Sequence, residues 1–225
     1  MTFSIVARDS HGAFGSAICS SSPAVAARCI TLADGVGAVN SQNITDPRLG
    51  PLITERLRAG ESAEAALAAV MSGAASATAD FRQVLVVDAG GGTAVHSGAR
   101  ALGVFGDASG DGVVAGGNLL ASGDIPSMMV DAFATAAGDL EHRLLAAMRA
   151  AMAAGGEAGP VHSAGLSVVR DAGWRVTDLR VDWTERDPIA ELGDLLELWL
   201  PQRDAYVARA LAPDEAPSFG VPGDE

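Results

Sequence analysis

Three stretches of this sequence, residues 13–20, 35–42 and 112–118, carry no charge and are built mostly from Gly, Ala, Ser and Val. A strand with no charge on either side needs cover on both faces, and small residues let covering layers approach closely. Turn signals bound these runs. Asp9-Ser10-His11-Gly12 separates residues 2–8 from 13–20 and predicts an opening hairpin. Gly90-Gly91-Gly92 separates strands at 84–88 and 93–96, and Asp171-Ala172-Gly173 separates strands at 163–170 and 174–183. Hairpins on this scale predict largely antiparallel sheets.

Helical patterns fall between the strand groups. Residues 51–59 end at Gly60, and residues 62–72 start on Ser62 as N-cap. A helix from near Pro126 ends at Gly138, and Asp139 caps the next, which runs to about Ala154. Asp187-Pro188 opens a C-terminal helix, expected to be interrupted near Pro201. The order predicts an α+β fold in which two sheets face each other with helices outside, a four-layer αββα sandwich. One domain over residues 1–212 is expected, with a disordered acidic tail over 213–225.

Composition removes several chemistries. All 15 basic residues are Arg. Schiff-base Lys, a phosphate-loop Lys and a Ser–Lys dyad are therefore impossible. A net charge of −13 argues against nucleic acid and anionic membrane surfaces as partners. No run approaches the ~20 apolar residues of a membrane span, and no signal peptide is visible, so a cytoplasmic protein is expected. Cys19 and Cys29 lack metal spacing and the four His are scattered, so neither a metal nor an organic cofactor is expected. Asp107 to Gly112 has the look of a calcium loop but lacks the closing Glu, since residue 118 is Asn, and reads as a polar turn.

Thr2 follows the initiator Met1. If Met1 is removed, one residue carries both a hydroxyl nucleophile and an α-amine, whose ordinary pKa near ~8 suits it to take the hydroxyl proton. Met1 retention would block that amine. Ser20, Ser21 and Ser22 end the second strand, and antiparallel pairing brings them back towards Thr2. Asn118 follows two glycines at a strand end, where its amide can donate to an oxyanion. Gln42 and Asn43 offer further donors. Asp46 is a candidate carboxylate for the site, and Arg48, or else Arg28, a fork for a substrate carboxylate. Each has a plain structural alternative, as strand starter, turn former or local pair.

Several strings occur together: Thr2 to Asp9, Ser20 with Ala24-Val25, Gly35-Val36-Gly37-Ala38, Gln42, Asp46 to Pro51, and Gly116-Gly117-Asn118-Leu119-Leu120. In their order and spacing the sequence resembles the bacterial family called domain of unknown function 1028. The resemblance implies the Ntn-hydrolase-like form of the αββα sandwich, in which the first residue of the first strand attacks an amide. Departures are visible. The second strand reads Ala17-Ile18-Cys19-Ser20 without the acid used by proteasome-like members, and their Lys is absent. Arg cannot shuttle protons in its place. The acylase branch, with an Asn at the oxyanion, fits better. The expectation is an N-terminal-nucleophile amidohydrolase for a small polar amide or peptide-like metabolite, with Thr2 and Asn118 catalytic. The alternatives are a non-catalytic metabolite-binding module on the same fold, or a hydrolase using Ser20, Ser21 or Ser22. Met- and Ala-rich helical faces within 127–154 predict a homodimer.

Overall fold

Asp9 organises the first hairpin: its Oδ1 accepts from the backbone N–H of His11 and of Ala13, both at 2.9 Å, and Gly12 supplies the positive φ the turn needs. This pairs β1 (Thr2–Arg8) with β2 (Phe14–Ser20) from Arg8↔Phe14 to Thr2↔Ser20. The structure, a computed structural model, describes residues 2–221. Met1 and residues 222–225 of the expected tail lie outside the described residues.

Seven further elements follow the expected order. They are β4 (Gly37–Asn43), α3 (Ala63–Ser72), β5 (Arg82–Asp88), β6 (Thr93–Ser97), β8 (Val113–Asn118), β9 (Ser163–Val169) and β10 (Arg175–Val181). Ser62 caps α3 by accepting from Ala65 N–H at 3.3 Å. The helices α4 (Ile125–Thr135) and α5 (Leu140–Ala153) also lie where expected. Two short elements are new: α1 (Val25–Cys29) and the edge strand β3 (Ile30–Ala33). The expected polar turn at 107–112 is in part a strand, β7 (Gly106–Gly110), paired with β8. α2 spans Leu49–Arg58, two residues earlier than expected; Pro51 fits its first turn, where the missing N–H has no helical partner to lose.

The expected break at Pro201 is corrected: α6 runs unbroken over Pro188–Leu211. Asp187 starts it by accepting from Ile189 and Ala190 N–H. The carbonyl that Pro201 leaves unpaired is that of Glu197, which is exposed and can be served by water. Beyond α6, Phe219 lies under the Arg209 guanidinium at 3.7 Å and edge-on to Tyr206.

All pairing is antiparallel, in a six-stranded sheet ordered β10-β9-β2-β1-β8-β7 and a four-stranded sheet ordered β3-β4-β5-β6. Alternation along β1 sends Phe3, Ile5 and Ala7 into a core with α4, α5 and α6. Val39, Val84 and Val86 of the second sheet pack on α2 and α3. Between the sheets, Val6, Phe14, Ala38, Leu85, Val87 and Val114 form a dry cluster. Towards the Thr2 end this interface turns polar. No helix among the described residues is long and apolar enough to cross a membrane.

Gly98 follows β6 and donates to the Arg82 carbonyl at 2.9 Å. A Cβ there would be driven into the backbone of Ala79 and Asp80, which cannot swing aside as a side-chain tip can. Gly98→Ala is therefore expected to destabilise the protein by about 1–3 kcal/mol. Urea unfolding reads this as a lower midpoint, and an unchanged midpoint would contradict it.

Candidate functional site

The antiparallel register sets a polar row across four strands. Ser163 on β9 pairs with Ser20 on β2, Ser20 with Thr2 on β1, and Thr2 with Asn118 on β8. Directly opposed residues point to the same face. Thr2 is 5% exposed and the other three are fully buried. Thr2 Oγ1 lies 3.3 Å from Ser20 Oγ, and Ser20 Oγ lies 2.9 Å from Ser22 Oγ. Arg28, on α1, donates from Nη2 to Ser22 Oγ at 2.5 Å and from Nη1 to the Pro23 carbonyl. A line of hydroxyls thus runs from Thr2 to a guanidinium.

On the other flank, Asn118 donates from Nδ2 to Gln83 Oε1 at 3.3 Å, while its Oδ1 has no partner among the described residues. Gln83 Oε1 also accepts from Gln42 Nε2 at 2.9 Å, and Gln42 Oε1 accepts from Ser4 Oγ at 2.6 Å. Gln83 Nε2 is shared among Ser97 Oγ and the carbonyls of Gly106 and Gly117. Buried amides bonded this fully fix the sheet-to-sheet register and hold Asn118 in place. Among the described residues the Asn118 amide hydrogens meet one acceptor, Gln83 Oε1.

Backbone strain gathers here. Among the described residues, four non-glycine residues have positive φ, and three of them lie at or beyond the ends of β2, β4 and β8: Ala24 (51°), Asn43 (70°) and Leu119 (53°). Such conformations persist only where their surroundings enforce them, and they concentrate at functional sites. Asn43 is held by donating to the Phe81 carbonyl at 2.6 Å and accepting from Leu102 N–H at 3.3 Å.

The candidate residues therefore separate into groups. Thr2, Ser20, Ser22 and Asn118 come together, with Gln42 behind them. Ser21 stands beside the row and turns its N–H to Glu157. Asn43 braces a loop. Asp46 and Arg48 satisfy each other at the surface, Nε to Oδ1 at 2.9 Å and Nη2 to Oδ2 at 2.8 Å. That fork holds the Asp46 carboxyl low, at about 2. The two thiols are buried, and burial pushes both up, so each is a poor nucleophile.

Glu157 was not anticipated. It lies in the loop between α5 and β9, 5% exposed, bridging to Leu120. Its Oε1 accepts from Ser21 N–H at 3.2 Å, and its Oε2 has no partner among the described residues. Burial raises the carboxyl to about 7, against the Ser21 hydrogen bond and His162, which favour the ionised form. The only signal in the sequence is a lone acid within Gly155-Gly156-Glu157-Ala158-Gly159. Among the described residues no three His, Cys, Asp or Glu side chains gather as a metal site. A cavity of about 530 Å³ lined by Glu55, Arg56, Glu61 and Val70 lies on the α2–α3 side of the four-stranded sheet, across that sheet from the row.

The model of a family of unknown function, DUF1028, matches residues 2–192. The chain belongs to DUF1028. Among solved structures, DUF1028 protein SPO2555 from Silicibacter pomeroyi is 28% identical, with a TM-score of 0.80 over 88% of each chain. Anbu (ancestral beta-subunit) from Yersinia bercovieri is 11% identical, with a TM-score of 0.40 over 89% of this chain and 97% of that one. At that level the likeness to Anbu is too slight to bear on function. No curated protein matches the sequence.

Proposed function

We propose that this DUF1028 protein is an N-terminal-nucleophile amidohydrolase of the cytoplasm, acting on a small polar amide or peptide-like metabolite. Its two facing sheets and outer helices are read as the four-layer αββα sandwich of Ntn hydrolases. The observation that carries the reading is the place of Thr2, at the start of a central strand between Ser20 and Asn118. With Met1 removed, the Thr2 α-amine takes the proton from Oγ1 as Oγ1 attacks the substrate carbonyl carbon. The second N–H of the Asn118 amide, with a backbone N–H, holds the oxyanion. The amine then passes the proton to the leaving nitrogen as the C–N bond breaks. Water, activated by the same amine, hydrolyses the acyl ester on Thr2. Ser20 and Ser22, backed by Arg28, face a polar or anionic part of the substrate. Gln42 supports the site from within, while Ser21, Asn43, Asp46 and Arg48 shape its borders. A homodimer through α4 and α5 belongs to the same reading, with Met128 exposed on α4. A monomer in sedimentation equilibrium would end that part.

A second reading, a metabolite-binding module without turnover, is favoured by the burial of the row and by the Gln83 bond on Asn118. A β-lactone acylating reagent separates the two. After intact mass has established loss of Met1, peptide mapping is expected to find one acyl group, on Thr2. Acylation of Ser20, Ser21 or Ser22 instead would move the nucleophile to β2, and reversible binding without any adduct would favour the binding module.

A further inference from the structure

Glu157 occupies a defined place relative to β1. β1 lies between β2 and β8, and its first described residue, Thr2, stands opposite Ser20 and Asn118. Glu157 is tied just outward on both flanking chains, one position beyond Ser20 on one and two beyond Asn118 on the other. Ser21 N–H donates to its Oε1, and its backbone bridges Leu120. It therefore spans the N-terminal end of β1, where the α-nitrogen of Thr2 emerges. A Cβ at the neighbouring Gly156 would meet Met152 Sδ at 3.0 Å and the Phe3 side chain of β1 at 3.6 Å.

One carboxylate oxygen is used there and the other is buried without a partner among the described residues. An unpaired carboxylate in such a place is costly, so Oε2 is built for a donor that bears charge or a proton. The chain contains no Lys. The nearest flanking guanidinium with a known bond to the row, Arg28, is turned to Ser22 and Pro23, and among the described residues no Arg pairs with Glu157. Among the described residues, the titratable groups that act with Glu157 are His162, which lies 2.8 Å from the Thr184 carbonyl and stacks on Trp183, and the buried Cys19, whose thiol is pushed up by burial and by the charges of Glu157 and Asp187.

We propose that Glu157 is the positioning residue for the freed N-terminus, its carboxylate accepting the hydrogen bonds of the Thr2 α-ammonium and turning that nitrogen towards Oγ1. This rests on the reading of Thr2 as the mature N-terminus. It supplies from the α5–β9 loop the acid that β2 lacks. Paired in this way, the ammonium draws the carboxyl down from about 7 and the carboxylate lifts the amine above its ordinary ~8. The carboxylate keeps the amine protonated at rest, and a substrate that disturbs the pair releases the amine as base.

The absence of Lys makes the α-amine the one primary amine of the chain, so trace acetylation across pH reads its titration without any substrate. Glu157→Gln keeps the shape and removes the charge. The labelling midpoint is expected to fall by about one unit or more, so that labelling near pH 6.5 rises about 10-fold. Equal midpoints in folded wild type and folded Glu157→Gln overturn the proposal. Should the variant not fold, the wild type decides alone. Its folded midpoint is expected above that of the same chain in denaturant, and a midpoint at or below it overturns the proposal. A shifted midpoint in a protein that turns over no amide leaves this inference standing and removes the hydrolase reading. Met1 retained in protein from the native source removes both.

Discussion

Glu141→Ala is expected to lower the unfolding free energy by about 3–5 kcal/mol, the usual effect of removing one partner from a buried ion pair. Glu141 is fully buried in the first turn of α5. Its Oε1 and Oε2 accept from Arg170 Nη2, both at 2.6 Å, and Oε1 also accepts from Arg203 Nη1 at 3.0 Å and Thr177 Oγ1 at 2.9 Å. One carboxylate thereby joins α5, the β9–β10 hairpin and α6. Its loss strands the buried head of Arg203 with only the more exposed Asp139 and Asp204. Desolvation decides the magnitude. The Arg48–Asp46 fork has equally good geometry, but Arg48 is 83% exposed, and its truncation should leave the midpoint unmoved. Trp199 donates to the Val176 carbonyl and to Thr177 Oγ1, so its fluorescence reports on this corner in a urea titration. A loss below about 1 kcal/mol in Glu141→Ala would show that the cluster is solvated and not structural.

The parts of the fold that could be read in sequence are those whose cause is local. Asp9 and Gly12 fix the first hairpin within a few residues, and that hairpin fixes Thr2 opposite Ser20 by counting. Ser62 and Asp187 announce their helices. The elements that escaped are held by distant partners. β7 has no apolar alternation and becomes a strand only through its ladder to β8. α1 has five residues, too few for a helical period, and it opens from the left-handed Ala24. Pro201 looked like a break because its helix is stabilised by packing of Ile189, Leu192 and Leu196 on the sheet, which sequence periodicity does not weigh. The candidate site divides in the same way. Counting through the first hairpin brings Ser20 back to Thr2, whereas Asn118 reaches Thr2 through the long-range pairing of β1 with β8, which no local signal marks. Arg48 looked available as a ligand, yet Asp46 two residues away had already claimed it. Glu157 reaches Ser21 across 136 positions, and nothing local to Gly156-Glu157-Ala158 points back to the start of the chain.

Thr2→Ala should reduce amide turnover by at least about 10³-fold, or about 4 kcal/mol of transition-state stabilisation. Two contributions go together: the nucleophilic oxygen, and the transfer of its proton to an amine on the same residue. The structural cost is small by comparison. The Oγ1 contact to Ser20 is 3.3 Å, at the weak end for hydroxyls, and its loss amounts to about 1 kcal/mol or less. The β1 backbone keeps its ladders to β2 and β8 whatever the side chain. A folded Thr2→Ala protein with an unshifted urea midpoint and no turnover is the expected result, and Thr2→Ser should stay within about 10-fold of wild type because it keeps hydroxyl and amine together. The comparison also separates the two readings of the site. In a binding module Thr2 serves as no nucleophile, so Thr2→Ala would bind the metabolite nearly as well as wild type, and neither protein would consume it. Turnover that survives Thr2→Ala above about a tenth of the wild-type rate would place the nucleophile elsewhere. Ser20 would then be tested first, because its hydroxyl sits between Thr2 and the Ser22–Arg28 pair and is the nearest that could take over the attack.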